Sequence, residues 1–345
     1  MAALRAQFPR VPGYLNAASL GLPPRSVSEA MTAGLADWAA GRGCPAGYDR
    51  AVNSSRDLYA RLVGVPSSRV SVGSQVSVFA GLVASSLPDG AEVVCVEGDF
   101  SSMVYPFAVH ADRGVRVRHV PLEQLADAVE ERTTLVAFSL AQSACGSLAD
   151  GDAVVEAARR VGALTFCDLT QAAGWMPVDA SLYDLTVCSA YKWLCAPRGS
   201  AFLTVTPQVA ATLRPVNAGW YAGASVWDSC YGPDMALADD ARRFDVSPAW
   251  LTWVGTEPAL RLFSDADLAA VRDWDASLAD SLRERLGESA CGRPVVSLPD
   301  ADGARRAALE GAGLTVAGRA GKVRLAFHLW NDVEDVDRAA RALGA

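Results

Sequence analysis

Residues 164–198 read LTFCDLTQAAGWMPVDASLYDLTVCSAYKWLCAPR, and their pattern decides the fold. Leu164 to Phe166 is a short apolar run ending in Cys167-Asp168, which reads as a buried parallel strand with Asp168 at its carboxyl end. Leu185 to Cys188 reads as a second such strand and runs into Ser189-Ala190-Tyr191-Lys192. Open α/β sheets bind ligands at the carboxyl ends of their strands, so two neighbouring strand ends present an acid and an amine. The amine is unusual in itself, because Lys192 and Lys322 are the only lysines in the chain. Arginine supplies charge equally well but cannot form a Schiff base with an aldehyde.

An acid and an amine so placed suit pyridoxal 5′-phosphate, which binds a lysine and needs an acidic partner on its pyridine nitrogen. The stretch resembles the signature of class V aminotransferases, within the fold-type I family of pyridoxal-phosphate enzymes. The matching residues are Asp168, Gln171, Ala173-Gly174, Ser189-Ala190-Tyr191-Lys192 and Gly199. The resemblance implies an α/β fold with a large cofactor-binding domain on a mostly parallel, seven-stranded-type sheet. Residues 20–245 are expected to form it, and 246–345 a small C-terminal α/β domain joined by the N-terminal segment 1–19. By the same resemblance Lys192 holds the cofactor and later removes the substrate Cα proton. Asp168 keeps the ring nitrogen protonated, Gln171 holds the phenolate oxygen, and Ser74, Ser189 and Ser247 hold the phosphate.

Upstream, YLNAASLGLPP at 14–24 is an extended opening before a helix expected from Ser26 to Ala40, with another over Ala51 to Val63. The family carries a similar segment across the mouth of its site, which brings Asn16, Ala17 and on to Ser19 toward substrate. Val70 to Val72 reads as a strand entering Gly73-Ser74-Gln75 and then a helical pattern, with Ser74 as N-cap. A helix N-terminus is an anion site, so the phosphate is expected at Ser74 and Gln75. Glu92 to Glu97 is a further strand, and the following Phe100 falls where many relatives stack a histidine on the cofactor ring; it is otherwise a core aromatic. Val115 to Val120, a helix Leu122 to Glu131, a strand Leu135 to Leu140 and a helix Asp152 to Val161 complete the alternation. Between the last two, Gln142 or Ser143 is placed against the cofactor oxygen or the substrate.

Downstream, the aromatic segment NAGWYAGASVWDSCYGPD at 217–234 is punctuated by Gly219, Gly223, Gly232 and Pro233. RRFDVSPAW at 242–250 matches a family stretch whose hydroxyl reaches the neighbouring subunit's phosphate, which makes Ser247 the candidate and a homodimer the expectation. A helix Ala266 to Leu286, a strand Pro294 to Ser297, a helix Gly303 to Gly311, further strands and a helix Val333 to Leu343 follow. KVRLAFHLWND at 322–332 resembles the family's tail, in which Arg324 grips the substrate carboxylate, a task for a planar bidentate donor.

The 345 residues, 51% apolar and 20% charged, are enough for a large core, and the net charge of -8 argues against nucleic acid or an anionic membrane as partner. Eight cysteines without a CxxC pair read as free thiols in a reducing cytoplasm, and three histidines without close cysteines give no metal-site pattern. No apolar h-region opens the chain and no run reaches a membrane span. No G-x-G-x-x-G follows the first strand, against a nicotinamide enzyme. A small-molecule amino-acid substrate is expected.

The reaction is narrowed by an absence. Cysteine desulfurases of this class carry a nucleophilic cysteine just before the carboxylate arginine, where this chain has GLTVAGRAGKVR at 313–324. Persulfide transfer is therefore disfavoured and β-elimination favoured. Trp220, Tyr221, Trp227, Tyr231, Trp250 and Trp253 offer faces for a quaternary ammonium, or alternatively fill a dimer interface and core. TQAAGW at 170–175 and AYKWLCAPRG at 190–199 are similar to the lyases that cleave hercynylcysteine sulfoxide to ergothioneine. That resemblance implies a carbon–sulfur lyase; a desulfurase-like lyase, an epimerase and a kynureninase-like hydrolase are the alternatives.

Overall fold

The computed structural model describes residues 1–232 and 234–345, so Pro233 lies outside the described residues. Apart from one-turn helices, its elements in order are α1 (Arg25–Ala39), α2 (Pro45–Leu62), β1 (Val70–Gly73), α3 (Val76–Ser86), β2 (Glu92–Val96), α4 (Ser101–Ala108), β3 (Arg116–Val120) and β4 (Thr133–Ser139). Then come α5 (Gly151–Val161), β5 (Leu164–Asp168), β6 (Leu185–Ser189), β7 (Ala201–Val205), α6 (Trp250–Ser264), α7 (Leu268–Arg285), β8 (Val295–Pro299), α8 (Ala304–Gly311), β9 (Ala317–Arg319), β10 (Lys322–Ala326) and α9 (Val333–Ala342).

Seven strands form one sheet in the order β1-β7-β6-β5-β4-β2-β3. β7 runs antiparallel to both β1 and β6, and the other pairs are parallel. Burial on both faces explains the near-continuous apolar strands. Val72, Val136, Phe138 and Phe202 pack with Tyr59 of α2, Val154 of α5 and Trp253 of α6. The alternate residues Val93, Leu135, Phe166 and Val187 pack with Phe79 of α3 and Phe107 of α4. The fold is thus the α/β architecture with a mostly parallel sheet that the strand pattern predicts.

A second, antiparallel sheet β8-β10-β9 carries α7, α8 and α9 on a core of its own, to which Leu15 also belongs. The N-terminal segment joins this sheet through bridges from Tyr14 to Thr315 and from Asn16 to Ala326.

Two local expectations are corrected, and one helix was not anticipated. The helix over 122–131 is a single 3-10 turn, Leu122–Gln124, because Arg118 takes the Ala128 carbonyl at 2.5 Å and β4 begins by Thr133. A helix of that length is marginal without packing. Ser74 is not the N-cap of α3; Gln75 is, and no side chain caps the helix. Helix α6 occupies a stretch for which the sequence suggested no element, since Gly255 and Pro258 argue locally against a helix. Tertiary contact overrides them: an added Cβ at Gly255 would meet Pro197 at 2.5 Å and Met31 at 2.8 Å. Helix α6 packs on α1 and α2 beside the large sheet.

Candidate active site

β5 and β6 are adjacent and parallel, with Asp168 in register with Val187, so their carboxyl ends open on one cleft. That cleft is lined by Ser74, Gln75, Phe100, Ser143, Asp168, Gln171, Ser189 and Lys192. Thr170, Tyr191 and Arg198 also line it and were not anticipated; their places within the quoted stretch were the available signal.

Lys192 is buried, and its Nζ lies 5.2 Å from the centre of the Phe100 ring and 5.6 Å from that of Tyr191. Burial is the main cause lowering its pKa to about 8, with Arg324 and Arg319 adding repulsion against the attraction of Asp168. Such an amine is neutral often enough near neutral pH to act as nucleophile or base. Asp168 is raised to about 6 by burial, opposed by hydrogen bonds from Thr170 and by Lys192. Its Oδ1 accepts the Thr170 amide at 2.8 Å, while the Thr170 hydroxyl accepts the Ser189 amide at 2.9 Å, tying the two strand ends together.

The segment that carries Lys192 is fixed from several sides. The Gly21 amide donates to the Tyr191 carbonyl at 3.0 Å. Gly174, at φ +110°, lets the backbone approach Trp193; a Cβ there would lie 2.5 Å from the Trp193 carbonyl. The Trp193 indole donates to Gln171 Oε1 at 2.8 Å. Because an indole can only donate, this orients the amide, and Gln171 Nε2 donates to the Ala18 carbonyl at 3.0 Å and the Ser143 hydroxyl at 3.2 Å. Both amide protons of Gln171 are engaged, so contact with a cofactor oxygen requires one of these acceptors to give way.

Phe100 is 41% exposed on the cleft wall and is not a core aromatic. Arg324 is buried beside Ser143; it donates to the Ser143 carbonyl and, through Nη2, to the Ser19 hydroxyl at 2.8 Å. Its Nε is buried with no acceptor among the described residues, and burial lowers its pKa to about 10. Asn16 and Ala17 lie in the segment beside it, and Asn16 Oδ1 is likewise buried without a donor. Ser247, Trp220 and Tyr221 are not brought to this cleft within the chain. Ser247 is exposed, and Tyr221 donates to Asp49 at 3.1 Å in a separate cavity bounded by Arg56, Trp227 and Asp245. Trp253 is core and Trp250 stacks on Tyr48.

The donor set fits pyridoxal 5′-phosphate. Lys192 supplies the amine, Asp168 the acid for a ring nitrogen, and the uncapped N-terminus of α3 beside Ser74 supplies free amides for a phosphate. Among the described residues no group of three metal-ligating side chains occurs.

The family described as aminotransferase class-V matches residues 14–306. Isopenicillin N epimerase of Amycolatopsis lactamdurans is 27% identical, over 95% of this chain and 94% of the epimerase. Kynureninase of Deinococcus radiodurans is 28% identical, over 82% and 74%. Among solved structures, a C-DES mutant with glycine covalently linked to its PLP cofactor superposes with a TM-score of 0.87 at 20% identity, covering 98% of each chain. A second structure describes C-DES as a cystine C–S lyase in complex with cysteine persulfide, with a TM-score of 0.85 at 19% identity over 96% and 97%.

Proposed function

The chain belongs to the class-V aminotransferase family and uses pyridoxal 5′-phosphate, and from that premise we propose that it is a carbon–sulfur lyase acting on a cysteine sulfoxide conjugate. The observation that carries this reading is that no cysteine lines the cleft or stands in the β9–β10 hairpin ahead of Arg324. A persulfide-transferring enzyme needs a thiol acceptor there; an elimination does not.

When bound, the cofactor supplies the electron sink that makes the substrate Cα proton acidic. Lys192 would hold the cofactor, and its amine would take that proton. Asp168 keeps a proton on the ring nitrogen, and its burial beside Lys192 supports both roles. The free amides of the α3 N-terminus, with Ser74, Gln75 and Ser189, would hold the phosphate, and Phe100 on the cleft wall would be available to stack on the ring. Arg324 grips the α-carboxylate, with Ser143, Asn16 and Ala17 completing that end. The Cβ–S bond breaks with its electron pair on sulfur, giving a sulfenic acid. Water converts the remaining three-carbon fragment to pyruvate and ammonia.

Hercynylcysteine sulfoxide is the substrate we favour, with thiol reduction of the sulfenic acid giving ergothioneine. The wording of residues 170–175 and 190–199 supports it. We also propose a homodimer in which Ser247 and the aromatic segment at 217–231 serve the partner's site, because Ser247, Trp227 and Tyr231 are exposed away from their own cleft. Their rings would meet the trimethylammonium group, each contact worth roughly 0.5–2 kcal/mol. A strictly monomeric holoenzyme in sedimentation refutes the shared site. Eight free cysteines support a cytoplasmic location, and among the described residues no helix is long and apolar enough to cross a membrane.

Incubation of holoenzyme with hercynylcysteine sulfoxide is expected to release pyruvate; none would reject the reading. Epimerisation or kynureninase-like hydrolysis is the second reading, favoured by relatives of those names. Racemised amino acid, or anthranilate and alanine from kynurenine, would establish it instead.

A further inference from the structure

The Ser19 hydroxyl oxygen accepts from two guanidinium groups, Arg324 Nη2 at 2.8 Å and Arg319 Nη2 at 3.2 Å. A hydroxyl has two lone pairs and one proton, so both acceptor sites are filled and only the proton remains to offer. Arg324, Ser19 and Arg319 therefore present donors alone, a surface complementary to a ligand made of acceptors.

The β9–β10 hairpin puts Arg319 there by construction. Ala317 pairs with Arg324 and Arg319 pairs with Lys322, so Arg319, Lys322 and Arg324 project from one face of the ribbon. The two-residue turn between them, Ala320 at φ +46° and Gly321 at φ +71°, has the left-handed geometry that a tight hairpin demands and an alanine adopts reluctantly. Directly opposed like charges on neighbouring strands destabilise a sheet. Here three cations share one face in a chain of net charge -8, and no carboxylate pairs with Arg319 or Arg324 among the described residues. The repulsion reaches the site, because Arg319 lowers the pKa of both Arg324 and Lys192. A single α-carboxylate at Arg324 leaves the outer cation unmatched.

We propose that Arg319 and Ser19 form a second anion subsite beside Arg324, which takes a carboxylate carried on the sulfur-bound part of the substrate. The inference rests on the lyase reading and adds to it a substrate class, cysteine conjugates with a second carboxylate, to which a histidine-betaine conjugate also belongs. The segment at 313–324 thus bears a guanidinium selecting the leaving portion where desulfurases that take a persulfide onto their own cysteine need a thiol.

The test compares wild type with Arg319→Gln and Arg319→Lys as holoenzymes, on two conjugates of matched length, S-(2-carboxyethyl)cysteine sulfoxide and S-propylcysteine sulfoxide. Pyruvate release is expected to favour the carboxylate in kcat/KM by about tenfold through KM, with the ratio falling to about one in Arg319→Gln and partly restored in Arg319→Lys. Equilibrium binding of 2-aminoadipate and norleucine, read from the cofactor's visible absorption, is expected to show the same ratio and loss. Binding ratios that respond to Arg319 without any pyruvate uphold the subsite and reject the lyase. Pyruvate release with ratios that do not respond to Arg319, or a wild type that does not distinguish the members of each pair, overturns the subsite.

Discussion

The ring Nε2 of His328 lies 3.0 Å from the carbonyl oxygen of Trp193, the residue after Lys192. Its Nδ1 lies 2.5 Å from Asp275 Oδ2 on α7, and both side chains are fully buried. Carbonyl and carboxylate both accept, so two protons are held between the ring and the acid. Burial raises the Asp275 pKa, and the neighbouring His328 opposes the rise. This pair ties the small-sheet half of the molecule to the lysine segment. His328→Phe would leave Asp275 buried without its partner and should lower the unfolding free energy by about 3–5 kcal/mol. His328→Gln, which keeps a donor toward the Trp193 carbonyl, should lose less; equal denaturant midpoints for the two variants would contradict this.

Cofactor-free protein should gain stability with rising pH across the interval set by Lys192. The amine titrates near 8 when folded and near the ordinary 10.5 when unfolded. Between those values the unfolded chain binds more protons, so stability rises with pH; below about 8 the full cost of the buried charge applies. Asp168 acts oppositely at low pH. It is raised from 3.8 to about 6, so the folded state holds the extra proton and stability falls as pH rises through that range. Denaturation series on Lys192→Met and Asp168→Asn should each flatten one of these slopes.

Lys192→Ala should reduce product formation by about 10²–10⁴-fold from the loss of proton transfer alone, and abolish covalent cofactor retention. Mass spectrometry after borohydride reduction checks the second outcome: the wild-type adduct should map to Lys192.

Gly174→Ala and Gly21→Ala should each destabilise the protein by more than about 1 kcal/mol and lower cofactor occupancy. At Gly174 the strain is both in the backbone and against Trp193, whereas at Gly21 an added Cβ would lie 2.0 Å from the Lys192 carbonyl. Thermal melts with measured cofactor stoichiometry decide the matter. A Gly21→Ala protein that loads fully would show that the lysine segment can move without loss.

The legible parts of this fold were those in which neighbours in sequence carry the information. β5 and β6 are local apolar runs, and the scarcity of lysine singled out Lys192 without any contact map. Helix α6 was hidden because Gly255 and Pro258 oppose it locally, while what favours it is Met31 and Pro197, far away in sequence. The hydrogen bonds that occupy Gln171 were illegible for the same reason, since their partners sit at Ala18, Ser143 and Trp193. Arg319 gave no signal as one arginine among many until the hairpin register placed it beside Arg324.

The segment from Tyr14 to Gly21 pairs with Thr315 and Ala326 and also bonds to Tyr191 across the cleft. Its partners in the second sheet lie about 300 positions later, as with the Arg324–Ser19 bond at a separation of 305. The strap has contacts in the large-sheet part through Tyr191 and Gln171, but its pairing is complete only when the strands around Thr315 and Ala326 are in place. Long-range closures of this kind form slowly. Closure of the segment from Tyr14 to Gly21 is thus expected to be a late folding step, and it is the step that brings Ser19 to Arg324.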